Sequence, residues 1–152
     1  MLKSIGTALL FLFFTLTIQA QTLNNSHKDS LNVLVKAYYD LNVKVFQSNS
    51  KVEDIDNIFK LFTEDFTYIH PKYGGTYTRD DLYNGYVRNQ KNGMYNSSIV
   101  AIKINNKITG LNAMVVERNY VKKEHNKDIE EDPKMTLFEF KDGKISRIFE
   151  YW

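Results

Sequence analysis

The chain has 152 residues, 43% of them hydrophobic and 25% charged, which describes one ordinary globular domain and disfavours collagen-like, low-complexity and disordered readings. It contains no cysteine, so a disulfide framework, cysteine-ligated zinc or iron–sulfur centres and thiol nucleophiles are all excluded. Twenty basic and 18 acidic residues give a net charge of +2, which provides no electrostatic ground for a nucleic-acid or membrane-surface partner.

Residues 1–20 read as a signal peptide. Lys3 is a short positive start, Thr7 to Ile18 is an almost unbroken apolar run, and Ala20 is a small residue ahead of a polar segment that begins at Gln21. The run is shorter than the roughly 20 residues a bilayer span requires. Cleavage near Ala20 leaves about 132 residues with 19 basic and 18 acidic side chains and no membrane attachment. A domain of that size without disulfides, outside the cytoplasm, fits a secreted or periplasmic bacterial protein. Residues 21–28 are expected to be a flexible lead-in and 29–152 the folded domain.

Leu31, Leu34, Tyr38, Leu41 and Val45 recur at the spacing of one helix face, predicting a helix over Asp29–Ser48. Ser50 and Glu53 form a capping box ahead of Ile55, Ile58, Phe59 and Phe62, the stripe of a short second helix ending near Thr63. Phe66 to His70 reads as a strand stopped by Pro71, with Phe66, Tyr68 and His70 on one face. A turn at Tyr73-Gly74-Gly75-Thr76 leads to a third helix that starts at Thr78, with Asp81 three residues on, and stops at Asn92-Gly93. Strands are predicted over 98–105, 111–123, 134–141 and 144–152. Asp142-Gly143 is the hairpin turn between the last two, and Glu124–Pro133 is a polar connection. Helices in the first half and antiparallel strands in the second define an α+β domain.

The order of these elements, with the stretches VEDIDNIFKLFTEDFTYIHPKYGGTYTRDDL (52–82) and FKDGKISRIFEYW (140–152), resembles the nuclear transport factor 2-like superfamily, especially its SnoaL-like branch. The resemblance spans essentially the whole chain after residue 20. It implies three helices packed on a strongly curved antiparallel or mixed sheet, forming a cone with an internal, mostly apolar pocket, often in a homodimer made through the sheet. The superfamily includes ketosteroid isomerases, polyketide cyclases, dehydratases and epoxide hydrolases as well as many members with no known activity, so the fold does not choose a reaction.

The same resemblance orders the candidate residues. His70 holds the place, just before a proline at a strand end, where the isomerases keep a general-base carboxylate; an imidazole can serve there at neutral pH, or it can simply bond to backbone. Thr136 falls near their oxyanion-donor acid, and Tyr38 near their oxyanion tyrosine, although a place on the apolar helix stripe also suits Tyr38 as core. Ile148, Glu150 and Trp152 alternate on the last strand. In one register Glu150 faces the pocket, where desolvation would disfavour its charge; in the other it faces solvent. Either Glu117 or Arg118, adjacent on a strand, must point inward or lie near an edge.

The expected function is binding of a small, mostly apolar molecule among Phe66, Tyr68, Thr136, Phe138, Ile148 and Trp152. In its enzymatic version His70, Glu150 and Tyr38 carry an isomerase, cyclase or dehydratase type of proton transfer. The alternative is a dimerisation or interaction module whose pocket is filled core. No cofactor is implied, and His27, His70 and His125 lack metal-ligand spacing.

Overall fold

The computed structural model describes residues 25–125 and 127–152. The expected signal peptide and the first part of the lead-in fall outside the described residues. Helix α1 covers residues 25–45, so the segment 25–28 is already helical. Its buried face runs Leu31, Val35, Tyr38, Tyr39, Asn42 and Val45, while Leu34 and Leu41 are only half-buried at the edge of the predicted stripe. The second helix, α2 (Val52–Phe59), is capped one residue later than Ser50 and Glu53 suggest: the Asp54 carboxylate accepts from the Lys51 amide at 2.9 Å. It buries Ile55, Ile58 and Phe59.

Strand β1 (Phe62–His70) is longer than predicted because Phe62 and Phe66 both enter the core, their rings stacked 3.9 Å apart. Pro71 ends it in a single 3-10 turn, Pro71–Tyr73. Gly74 and Gly75, at φ 97° and 137°, then reverse the chain into a short strand the sequence reading missed, β2 (Gly75–Thr78). Helix α3 (Arg79–Lys91) starts as predicted, with the Thr78 hydroxyl accepting from the Asp81 amide. The strands β3 (Ile99–Thr109), β4 (Ala113–Glu124), β6 (Lys134–Lys141) and β7 (Lys144–Tyr151) follow the expected alternation. The polar connection contains a further short strand, β5 (Lys127–Glu130). Asp142 and Gly143 both take positive φ (54° and 73°), the requirement of a type I′ hairpin.

The sheet order is β2-β1-β7-β6-β4-β3, with β5 pairing the far half of β4. Among the described residues only β1 and β7 run parallel, and every other pair is antiparallel. Register shifts in β1, β3 and β6–β7 mark bulges, which bend strands and increase twist, so the sheet curls over α1 and α2. The inner row Tyr68–Ile148–Phe138–Met114 crosses four strands, and Phe138 meets Tyr38 and Tyr39 edge-on at 5.5 and 5.7 Å. This is the cone expected from the sequence.

Candidate functional site

Helix α3 has no fully buried residue, although Leu82, Tyr86 and Val87 turn toward the sheet. The reason is the space beneath it. A cavity of about 480 Å³ opens between α3 and the inner face of the sheet. From the sheet it is walled by Tyr68, His70, Tyr120 and Trp152, and from α3 by Leu82, Gly85 and Tyr86. Tyr73, Tyr77 and Tyr95 stand around it, with Asp81, Arg88 and Asn89 the polar members.

His70 is its most informative side chain. The residue is 1% exposed, yet neither ring nitrogen has a hydrogen-bond partner among the described residues. Its ring sits 4.5 Å from the Trp152 ring, nearly perpendicular, and 4.3 Å from that of Tyr73. Burial holds its pKa below the ordinary histidine value, against a smaller opposing effect of Glu150. The imidazole is thus neutral at pH 7, with one donor and one acceptor nitrogen unspent. It does not make the backbone hydrogen bond that the sequence leaves open as its structural role.

The register of β7 turns Glu150 inward, 3% exposed. Thr136, its cross-strand neighbour, donates to Glu150 Oε2 at 2.7 Å, as does Trp152 Nε1 at 2.7 Å, while Arg118 Nη2 lies 3.4 Å from both carboxylate oxygens. Three donors therefore compensate the carboxylate in place, where the sequence reading anticipates an isolated charge disfavoured by burial. Thr136 consequently spends its proton on Glu150. Of the pair left open on β4, Arg118 is the inward residue, 2% exposed, and Glu117 is exposed. The Arg118 guanidinium lies 4.4 Å over the Tyr120 ring. Desolvation opposes its charge, but Tyr120 and Glu150 outweigh that effect and raise its pKa.

Of the nine residues singled out from the sequence, Tyr68, His70 and Trp152 line the open cavity. Phe66, Phe138 and Ile148 are packed core instead, each 2% exposed or less, because the first inner rows of the sheet are filled by α1 and α2. Tyr38 is also core: its ring packs on Phe62 and Phe138, and burial, then Tyr86, raises its phenol well above the usual value. Glu150 and Thr136 lie behind Trp152. The sequence reading missed Tyr120, Gly85 and Tyr86 as cavity wall. The period-two inward run Met114, Val116, Arg118, Tyr120 and a lone glycine inside a helix are the signals that point to them.

No protein-family model matches the chain, and no curated protein matches it in sequence. Solved structures do match. A protein with a ketosteroid isomerase-like fold from Catenulispora acidiphila, in complex with trimethylamine, has a TM-score of 0.53 at 18% identity, covering 78% of this chain and 84% of its own. A nuclear transport factor 2-like protein of unknown function from Burkholderia xenovorans gives 0.55 at 14%, covering 82% and 84%. A candidate polyketide cyclase from Xanthomonas campestris gives 0.54 at 18%, covering 83% and 92%. The chain has the cone fold of nuclear transport factor 2-like, ketosteroid isomerase-like and polyketide cyclase proteins. At these identities the likeness speaks for the fold, and the function has to be argued from the cavity.

Proposed function

We propose that this domain binds a small, mostly apolar molecule in the cavity under α3, and that His70 meets its polar group. The observation that carries this reading is a buried imidazole with both nitrogens unpartnered on the wall of an aromatic cavity large enough for such a ligand. A filled cone would have left no such space, which weighs against a pure interaction module. Where the ligand carries an acidic C–H, the neutral His70 imidazole takes that proton once the Tyr73 ring packed on it moves aside and uncovers a nitrogen, and the donors to the developing oxyanion are the phenols of Tyr68 and Tyr120, since Tyr77 and Tyr86 already donate to the Tyr73 carbonyl and to Asn42 Oδ1. Glu150 acts behind the wall, holding Trp152 and Arg118 rather than touching the ligand.

The protein is proposed to work after secretion, with residues 1–20 removed, so N-terminal sequencing of material from a cell's periplasmic or culture fraction should begin at Gln21. It is also proposed to form a homodimer through the outer sheet face, where Ile69, Phe149, Leu137, Val115 and Ile108 align in one apolar row across five strands. Light scattering should then give twice the chain mass for the wild type and the single mass for Leu137→Lys. To test the binding itself, protein purified without added ligand is denatured and the released small molecules identified by mass spectrometry. A single compound near one equivalent, absent from His70→Phe, is the expected result; protein that is empty in every preparation and binds no apolar probe would refute the reading.

A further inference from the structure

Tyrosines and a tryptophan around a cavity ordinarily suit a cation, whose charge is drawn to the ring faces. Here two of those rings, Tyr120 and Trp152, are already engaged. Arg118 and Lys134 are direct neighbours on β4 and β6, and both lean over cavity rings. Arg118 Cζ lies 4.4 Å from the Tyr120 centroid, while Lys134 Nζ lies 4.3 Å from that of Trp152 and 4.7 Å from that of Tyr120. A ring that holds one cation attracts a second one poorly.

The charges around these rings also fail to cancel. Glu150 answers Arg118, whereas Glu131 is shared between Lys122 and Lys134, leaving two carboxylates against three cations. Arg118 Nε and Nη1 are buried with no acceptor among the described residues. Of the two charged residues in the cavity lining itself, Asp81 turns its carboxylate to the start of α3, accepting from the Thr78 amide and hydroxyl at 3.0 and 2.6 Å, while Arg88 stands exposed in the last turn. Arg118 with Glu150, and Asp81 with Arg88 at the rim, cancel in number, so the excess positive charge comes from the part-exposed cluster of Lys122, Lys134 and their one shared carboxylate, beside the Trp152 and Tyr120 rings.

We propose that the natural occupant is an aromatic or similarly apolar molecule carrying a single negative charge, such as a carboxylate, and that the Arg118–Lys134 pair selects it over its neutral and amine counterparts. This rests on the cavity being a ligand site and specifies what that site takes. His70 adds an uncharged N–H that can donate to the anion.

The test uses one scaffold with three charges: 4-tert-butylbenzoate, 4-tert-butylbenzyl alcohol and 4-tert-butylbenzylammonium. Trp152 is the only tryptophan in the chain and lies in the cavity wall, so its emission reports occupancy directly. The benzoate should bind at least about tenfold more tightly than the ammonium, with the alcohol between them. Lys134→Met should shrink the benzoate-to-ammonium ratio several-fold, with the alcohol serving as the neutral reference for both. An ammonium that binds as tightly as the benzoate, or a ratio indifferent to Lys134→Met, overturns the charge selection and leaves the cavity reading standing. If none of the three alters Trp152 emission, the cavity reading falls, and this inference with it.

Discussion

The buried ion pair Glu150–Arg118 and the buried His70 set opposite demands on the protein. Glu150 and Arg118 are both almost fully enclosed, so removing one charge strands the other. Glu150→Gln should lower stability by about 3 kcal/mol in urea denaturation, and adding Arg118→Met should return part of that loss, because the uncompensated guanidinium is then gone. If the two losses simply add, the ion pair is not the reason Glu150 is tolerated in the interior. His70 works the other way, since burial favours its neutral form. With a folded-state pKa below the 6.5 of the unfolded chain, the folded state binds fewer protons, so this contribution is complete above pH 6.5 and is lost as pH falls below it. The melting temperature of the wild type should therefore drop between pH 6.5 and 5 more than that of His70→Gln, a comparison that differential scanning calorimetry can make. Equal drops would mean that His70 protonates freely and that the cavity is wetter than its enclosure implies.

At the scale of the elements, α3 is held over the cavity by its N-cap together with Tyr83 and Tyr86, whose hydroxyls donate to Asp56 and Asn42 and whose rings meet Phe59 edge-on. The helix has no fully buried side chain, so its N-cap matters more than usual. Thr78→Ala should cost about 1 kcal/mol and should be visible as faster amide exchange in Arg79–Lys91 before any in the core strands. Exchange spread evenly through the sheet would show that Tyr83 and Tyr86 hold α3 without the cap. The difference between a local cap and distant contacts also explains what could be read from the sequence. Thr78 with Asp81, Asp142-Gly143 and the alternation of 134–141 are local signals in which hydrogen bonding and φ preference settle the outcome within four residues, and each appears where expected. Strands β2 and β5 were missed because four residues carry too little pattern; they exist only because β1 and β4 offer edges to pair with. The cap of α2 shifted from Ser50 and Glu53 to Lys51 and Asp54 because Asp54 also gains an ion pair with Lys44, a partner supplied by α1.

For the whole molecule, the cone was legible and the division of its interior was not. The helix and strand periods state which residues turn inward, but not how deep each lies. Phe66, Phe138 and Ile148 face inward as Tyr68 does, yet they fall under α1 and α2 and are covered, while Tyr68, His70, Tyr120 and Trp152 fall under the loosely packed α3 and remain cavity wall. That depth is set by the curl of the sheet, a property of seven strands together. Inward pairing of Arg118 with Glu150 likewise needs β4, β6 and β7 in register at once.

The central claim, that the space beneath α3 is a binding site rather than a packing defect, is tested most directly at Gly85. This glycine lies inside a helix, where alanine would be the more stable residue by roughly 1 kcal/mol, and the nearest atom to a Cβ built there is Arg88 Nη2 at 3.9 Å. The measurement is titration of wild type and Gly85→Leu with the neutral apolar dye N-phenyl-1-naphthylamine, following Trp152 emission alongside the melting temperature. The account predicts saturable binding to the wild type that is lost in Gly85→Leu, with a melting temperature unchanged or higher because the side chain fills empty space. Equal binding by both proteins, or a leucine variant that melts lower and still binds, would contradict it.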